Sequence, residues 1–309
     1  MDKVYLDTPH NFSEIEPFII TDKTVIEREV ILAERCYFYD TCAFRNHMTA
    51  EDVNLIFQYI KATSGVVIIT RTILMELCSN DGCLWQEHVE YIKNMSSKGI
   101  QVFVLYEETI FEILHVYCAD VSEINKWLSF AVRCAKSKVG TVELVINQDA
   151  ELKRFLLEGN ECKDGKLADK LFQKVRGSKS SGDNLGEELL AICIHWLSHM
   201  RDDHEYKYAV FTDDKKAIPT FGKIIKNIKE HLDYNSLLLC TTAKLCYLMY
   251  KTALIDNQSQ IIGILSSSNS GCDIKVYCSE EFELGPNEKK MSVQDFAGKV
   301  LSGKMKVYY

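Results

Sequence analysis

The sequence predicts an α/β fold. Its layers read α/β/α around a mostly parallel central sheet, with a helical insertion and a C-terminal extension. Three observations predict it. Short apolar runs recur along the chain: CYFY at 36–39, VVII at 66–69, VFVL at 102–105, YAVF at 208–211 and LLL at 237–239. They are apolar at successive positions, as strands buried on both faces of a parallel sheet are. Helical periodicity fills the intervals between them.

The elements follow in chain order. Residues 1–32 form an N-terminal extension without clear periodicity, and residues 33–257 form the main domain. After the first strand, a helix is predicted over Thr49–Thr63, with Thr49 as cap and Asp52 as its capping-box partner. Val53, Ile56, Phe57 and Ile60 share one face of it, and Ser64-Gly65 stops it. Ile73–Ser79 and Leu84–Met95 read as helical on either side of a break. A long helical region over 107–137 opens an insertion that reaches about residue 180.

The polar stretch 143–182 ends in the breaker GSKSSGD. A helix at 184–200 then places Leu189, Ile192, Cys193, Trp196 and Met200 on one face. Lys216–Glu230 reads as helix, and another helix follows the fifth strand to about Leu254. SSSNSG at 266–271 reads as a linker within a C-terminal extension, 258–309, with strand-like CDIKVYC and KMKVYY.

Composition excludes some classes. The chain has 309 residues, is 47% hydrophobic and carries a formal net charge of -8, so it does not coat nucleic acid through bulk charge. Any such contact needs a local basic patch. Its 12 cysteines include no CxxC pair, so no zinc ribbon is expected. No signal core and no apolar run of spanning length occurs. Reduced thiols, a cytoplasmic location and no membrane contact are the expectation.

Carboxylates gather where such a sheet opens its site, beyond the carboxyl ends of the strands. The first strand ends in Asp40-Thr41, and Glu76 follows the second. The fourth ends in Thr212-Asp213-Asp214. Asp183 and Glu187 open the helix that precedes the fourth strand. If that helix includes both, they share one side, about 40° apart. Bare, such a cluster is costly, because like charges raise each other's pKa. An oxygen-only donor set selects a hard cation, Mg²⁺ or Mn²⁺. One or two such ions activate water for attack on a phosphodiester and steady the leaving oxygen.

The motifs YFYDTCAF, VVIITRTILMEL, SGDNLGEELLAI and YAVFTDDKKA, in that order, resemble the PIN-domain family of metal-dependent ribonucleases. The likeness spans about residues 33–245 and is to a long bacterial-type member. It implies catalytic and metal-binding roles for Asp40, Glu76, Asp183 and Asp214. Gly186-Glu187 fits the family's third acid equally well, so Glu187 stays beside Asp183 as a metal ligand. Thr41 and Thr212 would be supporting hydroxyls, with Thr212 ordering the site. The usual Thr-Asn-Asp is Thr-Asp-Asp here, which makes Asp213 an extra outer acid. The resemblance implies an RNA substrate and an endoribonuclease requiring Mg²⁺ or Mn²⁺. It also implies a toxin–antitoxin or defence context, with an antitoxin or other protein partner, and is compatible with a homodimer.

Other readings stand beside it. One is a structure-specific DNA nuclease. Another is a catalytically degenerate PIN-like module that binds RNA or protein. An Asp-x-Asp phosphatase is disfavoured, because Cys42 stands where its general acid belongs. Taken singly, Asp40 reads as a turn residue, Asp183 and Asp213-Asp214 as caps, and Glu76 as a helix-end charge. Lys163, Lys166, Lys170 and Lys174 recur at helical spacing, with Arg176 and Lys179 following. They read either as a solvated face or as a phosphate-gripping stripe leading to Asp183. His195 and His199 lack the Glu of an HExxH motif and read as helix-surface residues. Tyr37, Tyr39 and Phe44 read first as core and second as base-stacking rings.

Overall fold

Five of the apolar runs become five parallel strands, in the order β3-β2-β1-β4-β5. They are β1 Arg35–Tyr39, β2 Gly65–Thr70, β3 Val102–Leu105, β4 Tyr208–Phe211 and β5 Leu237–Cys240. The computed structural model describes residues 3–136, 140–200, 204, 206–232, 237–269, 273–281 and 283–309.

Period-two alternation sends strand side chains into two separate cores. Phe38, Ile68, Phe103, Val210 and Leu239 enter one, with residues of helices Val121–Ala135, Leu167–Gly177 and Leu185–Leu197. Tyr37, Tyr39, Ile69, Val104 and Phe211 enter the other, with residues of helices Thr41–Met48, Val53–Ala62, Gln86–Ser97 and Thr242–Lys251. Helix Leu185–Leu197 is buried on nearly every side, not on one face only. That is why His195, expected at the surface, is fully buried beside Phe130. Its pKa falls to about 3, chiefly because burial penalises the imidazolium.

Several boundaries differ from expectation, each for a local reason. The 49–63 region is preceded by its own helix, Thr41–Met48, which Asp40 caps. Thr49 ends that helix, its hydroxyl donating to the Arg45 carbonyl at 3.1 Å, instead of starting the next. The second helix is Val53–Ala62. The long helix predicted over 107–137 is two, Thr109–Tyr117 and Val121–Ala135. Asp120 restarts it by accepting from the Ser122 and Glu123 amides.

The terminal extensions join the main body. Ile20 pairs with Phe103 in a parallel bridge beside β3. At the other end, β6 Ile274–Glu280, β7 Asn287–Met291 and β8 Met305–Val307 form a three-stranded sheet, order β7-β6-β8. Val276, Cys278, Phe296 and Val307 complete the second core. Helix Gln258–Asn269 runs through Ser266–Asn269, where a linker was expected, because Ile261, Ile264 and Leu265 bury against that core. Ser270 and Gly271 lie outside the described residues. Among the described residues, no helix is long and apolar enough to cross a membrane.

One buried ionic network braces β2, β3 and the insertion. Arg176, expected on a basic surface stripe, is 3% exposed. Its Nη1 donates to Glu107 Oε2 and Glu108 Oε2, each at 2.6 Å, and its Nη2 to Glu108 Oε1 at 2.7 Å. Glu107 Oε1 in turn accepts from the Thr72 amide at 2.9 Å, in the first turn of helix Arg71–Glu76. Removing one partner of such a cluster leaves a buried charge uncompensated. Arg176→Met should therefore lower unfolding free energy by about 3–5 kcal/mol in chemical denaturation. A loss below about 1 kcal/mol would mean that the guanidinium does not hold the two acids in place.

Candidate active site

The order β3-β2-β1-β4-β5 places the topological switch between β1 and β4. Tyr39 pairs with Phe211 there, so the next residues, Asp40 and Thr212, leave the sheet side by side. Asp40 Oδ2 accepts from the Thr212 hydroxyl at 2.7 Å and from the Cys42 thiol at 2.8 Å. Its Oδ1 accepts from the Thr41 amide at 2.7 Å. Burial pushes the Asp40 pKa up to about 6, and these donors only partly counter it. Cys42 is driven far above the usual thiol range by burial and by the Asp40 charge, so it serves as a donor, not as a thiolate.

Glu76 ends helix Arg71–Glu76 on the other side of the pocket. Its Oε2 accepts from the Thr41 hydroxyl at 2.6 Å and its Oε1 from the Gly186 amide at 3.2 Å. A Cβ on Gly186 would lie 2.6 Å from the Glu76 carboxylate, so the helix start can approach this acid only as glycine. The Glu76 carbonyl accepts from Lys3 Nζ at 2.9 Å and from Arg45 Nη2 at 3.2 Å, two cations at a helix C-terminus.

Asp183 and Glu187 do not share a helix. The helix begins at Leu185, and Asp183 lies in the preceding turn. Its carboxylate accepts from the Ser180 and Leu185 amides, at 2.8 and 3.2 Å, which favours the turn over a longer helix. Lys179 pairs with it and, at 2.7 Å, with Glu76 Oε1. Glu187, in the first turn of the helix, makes no hydrogen bond or ion pair to another described side chain. Its pKa rises to about 8, through burial first and then the charges of Asp40, Glu76 and Asp214.

Asp40, Glu76, Asp183 and Glu187 thus line one cavity of about 280 Å³, with Thr41, Cys42, Arg45, Lys3, Tyr5 and Lys179. Asp214 stands outside that lining. Its Oδ1 caps Lys216 at 2.7 Å, and it reaches the cluster through its charge on Glu187. Asp213 turns away. It accepts from the Thr242 amide and hydroxyl, at 2.7 and 2.6 Å, and from Asn46 Nδ2 at 2.7 Å. It therefore fastens β4 to the helix after β5.

The expected lysine stripe is not a continuous face. Lys170 and Lys174 are paired with Asp149, and Lys170 also with Glu151. Arg176 is buried, and Lys179 points into the acid pocket. Lys163 and Lys166 remain exposed. Tyr37, Tyr39 and Phe44 are fully buried, with Tyr37 stacked on Phe211 at 4.8 Å, so they are core rings. Sequence reasoning missed that Cys42 donates to Asp40 and the Gly186 amide to Glu76, and it missed the N-terminal wall of Lys3 and Tyr5. Only the i, i+4 spacing of Lys179 and Asp183 signalled that lysine's place.

The donor set is all oxygen, which suits a hard divalent cation. Among the described residues, however, no three His, Cys, Asp or Glu side chains stand ready as a metal cradle. Comparison with known protein families, characterised proteins and solved structures finds no match to this chain.

The pocket's pH response has a definite sign. The folded-state pKa of Glu187 lies above its unfolded value, so the unfolded chain loses that proton first as pH rises. Stability then falls with rising pH up to about 8. Between about pH 4 and 6.5 buried His195 and half-buried His199, both held low, act in the opposite direction. The clean window is therefore pH 6.5 to 8. Across it, without divalent cations, thermal and chemical denaturation should show a loss on the order of 1 kcal/mol, after allowance for solvent screening. Glu187→Gln should flatten that slope. An unchanged slope in the variant would remove Glu187 as its source.

Proposed function

We propose that the protein is a metal-dependent endoribonuclease with a PIN-like three-layer α/β/α architecture. The observation that carries this reading is one cavity lined by Asp40, Glu76, Asp183 and Glu187 at the carboxyl edge of an all-parallel sheet, at its switch point. Lys179 offsets Glu76 and Asp183, but the charges of Asp40 and Glu187 repel each other, a cost from which a scaffold without chemistry gains nothing. Asp40 and Glu187 would hold a Mg²⁺ or Mn²⁺ ion, with Asp214 and Glu76 beside them. Bound there, the ion would activate water and neutralise charge on the phosphate. Thr212, Cys42 and Thr41 fix the Asp40 carboxylate, and Thr41 with Gly186 fixes that of Glu76. Arg45, exposed at the rim, is placed to meet a backbone phosphate.

A second reading is an inactive RNA-binding or protein-interaction module. The Lys179 ammonium, already paired with Glu76 and Asp183, favours it. One assay separates the readings, with labelled single-stranded RNA, single-stranded DNA and a phosphomonoester, each with Mn²⁺, Mg²⁺ or EDTA. RNA should be cut only with a divalent ion. Asp40→Asn should slow cleavage by roughly a hundredfold or more, about 3 kcal/mol of transition-state stabilisation. Preferred cleavage of DNA would transfer the site to that substrate. No cleavage, and no rise in melting temperature with Mn²⁺, would leave the inactive module.

A further inference from the structure

The charges of the acid pocket are not shared evenly. Lys179 Nζ lies 2.7 Å from Glu76 Oε1 and also pairs with Asp183. Its side chain is 4% exposed, and the Tyr5 ring packs under the ammonium at 5.5 Å. The backbone that delivers it is anchored too. Lys179 follows helix Leu167–Gly177, whose Arg176 is locked between Glu107 and Glu108. This lysine is therefore held by two carboxylates, a ring and a fixed helix end, with little rotamer freedom left to lose. Among the described residues no such cation pairs with Glu187, which lines the same cavity. Its carboxylate accepts only from its own backbone amide, and the charges of Asp40, Glu76 and Asp214 act on it.

Two-metal phosphodiester sites spread carboxylates around two cations. Here one of those places is taken by a covalently tethered ammonium. We propose that Lys179 is a built-in cation that replaces a second metal ion, so that the pocket binds a single divalent cation on its Asp40–Glu187 side. This inference rests on the reading of the pocket as a metal site. It deepens that reading by fixing the number of ions and the half of the pocket that holds them.

The test is calorimetric titration of the whole protein with MnCl₂ at pH 7.5, checked by the paramagnetic resonance signal of free Mn²⁺. The wild type should bind about one Mn²⁺ per chain. Lys179→Met keeps the aliphatic length over Tyr5 and removes the charge. It should raise the count to about two and lower the metal-free melting temperature, and Mn²⁺ should restore that temperature. Lys179→Arg keeps a cation and should stay near one, which covers the case in which Lys179→Met fails to fold. Two ions in the wild type, or an unchanged count in folded Lys179→Met, would overturn the inference while leaving the metal site standing. No Mn²⁺ bound by any variant would overturn the metal site itself, and the inference with it.

Discussion

Holding the Asp40 carboxylate in the seam between β1 and β4 constrains everything at that edge of the sheet. The residue is 2% exposed, and a buried carboxylate without compensation is costly. Three donors, from Thr212, Cys42 and Thr41, converge on it. Each comes from a chain segment that the parallel register places there. Asp40 is also the N-cap of helix Thr41–Met48, so one carboxylate ends a strand, starts a helix and opens the pocket. Donors of this kind lower its charge cost without cancelling it. The Glu187 charge nearby, which repels that of Asp40, adds to the deficit.

A second buried ionic network supports the opposite wall. Glu107 bridges Arg176 to the first turn of helix Arg71–Glu76, and Glu76 sits at that helix's other end. The helix has only six residues, too few for stability of its own, so its position is set by what holds its ends. Glu107 holds one end, and Lys3 with Arg45 hold the other. The N-terminal segment and the insertion thereby determine where the Glu76 carboxylate points. This gives both a structural purpose that their own sequences do not announce.

How much of this could be read from the sequence follows from the range of each interaction. The five strands were legible because runs such as VVII and YAVF carry their burial on both faces within a few residues. Asp40, Glu76 and Glu187 were legible because they follow such runs or open a helix. Arg176 was not. Its partners lie 68 and 69 residues away, and its own helix shows only a basic periodicity. Whether Asp183 joins the helix of Glu187 stayed open in the sequence, because the turn that excludes it depends on its hydrogen bonds to Ser180 and Leu185, not on composition. SSSNSG looked like a linker by residue type, yet burial of Ile261, Ile264 and Leu265 carries the helix into it. The family resemblance made Asp213 an extra outer acid. Its side chain instead answers the Thr242 amide at a helix start that the sequence did not connect with it.

On the reading of the pocket as a metal site, a divalent cation sits between Asp40 and Glu187. Anomalous diffraction from crystals soaked in MnCl₂ at pH 7.5 tests it most directly. One anomalous peak should lie within coordination distance of both carboxylates, with the Lys179 ammonium still on Glu76 and Asp183. An empty pocket in which Asp40 and Glu187 keep their metal-free positions would contradict it.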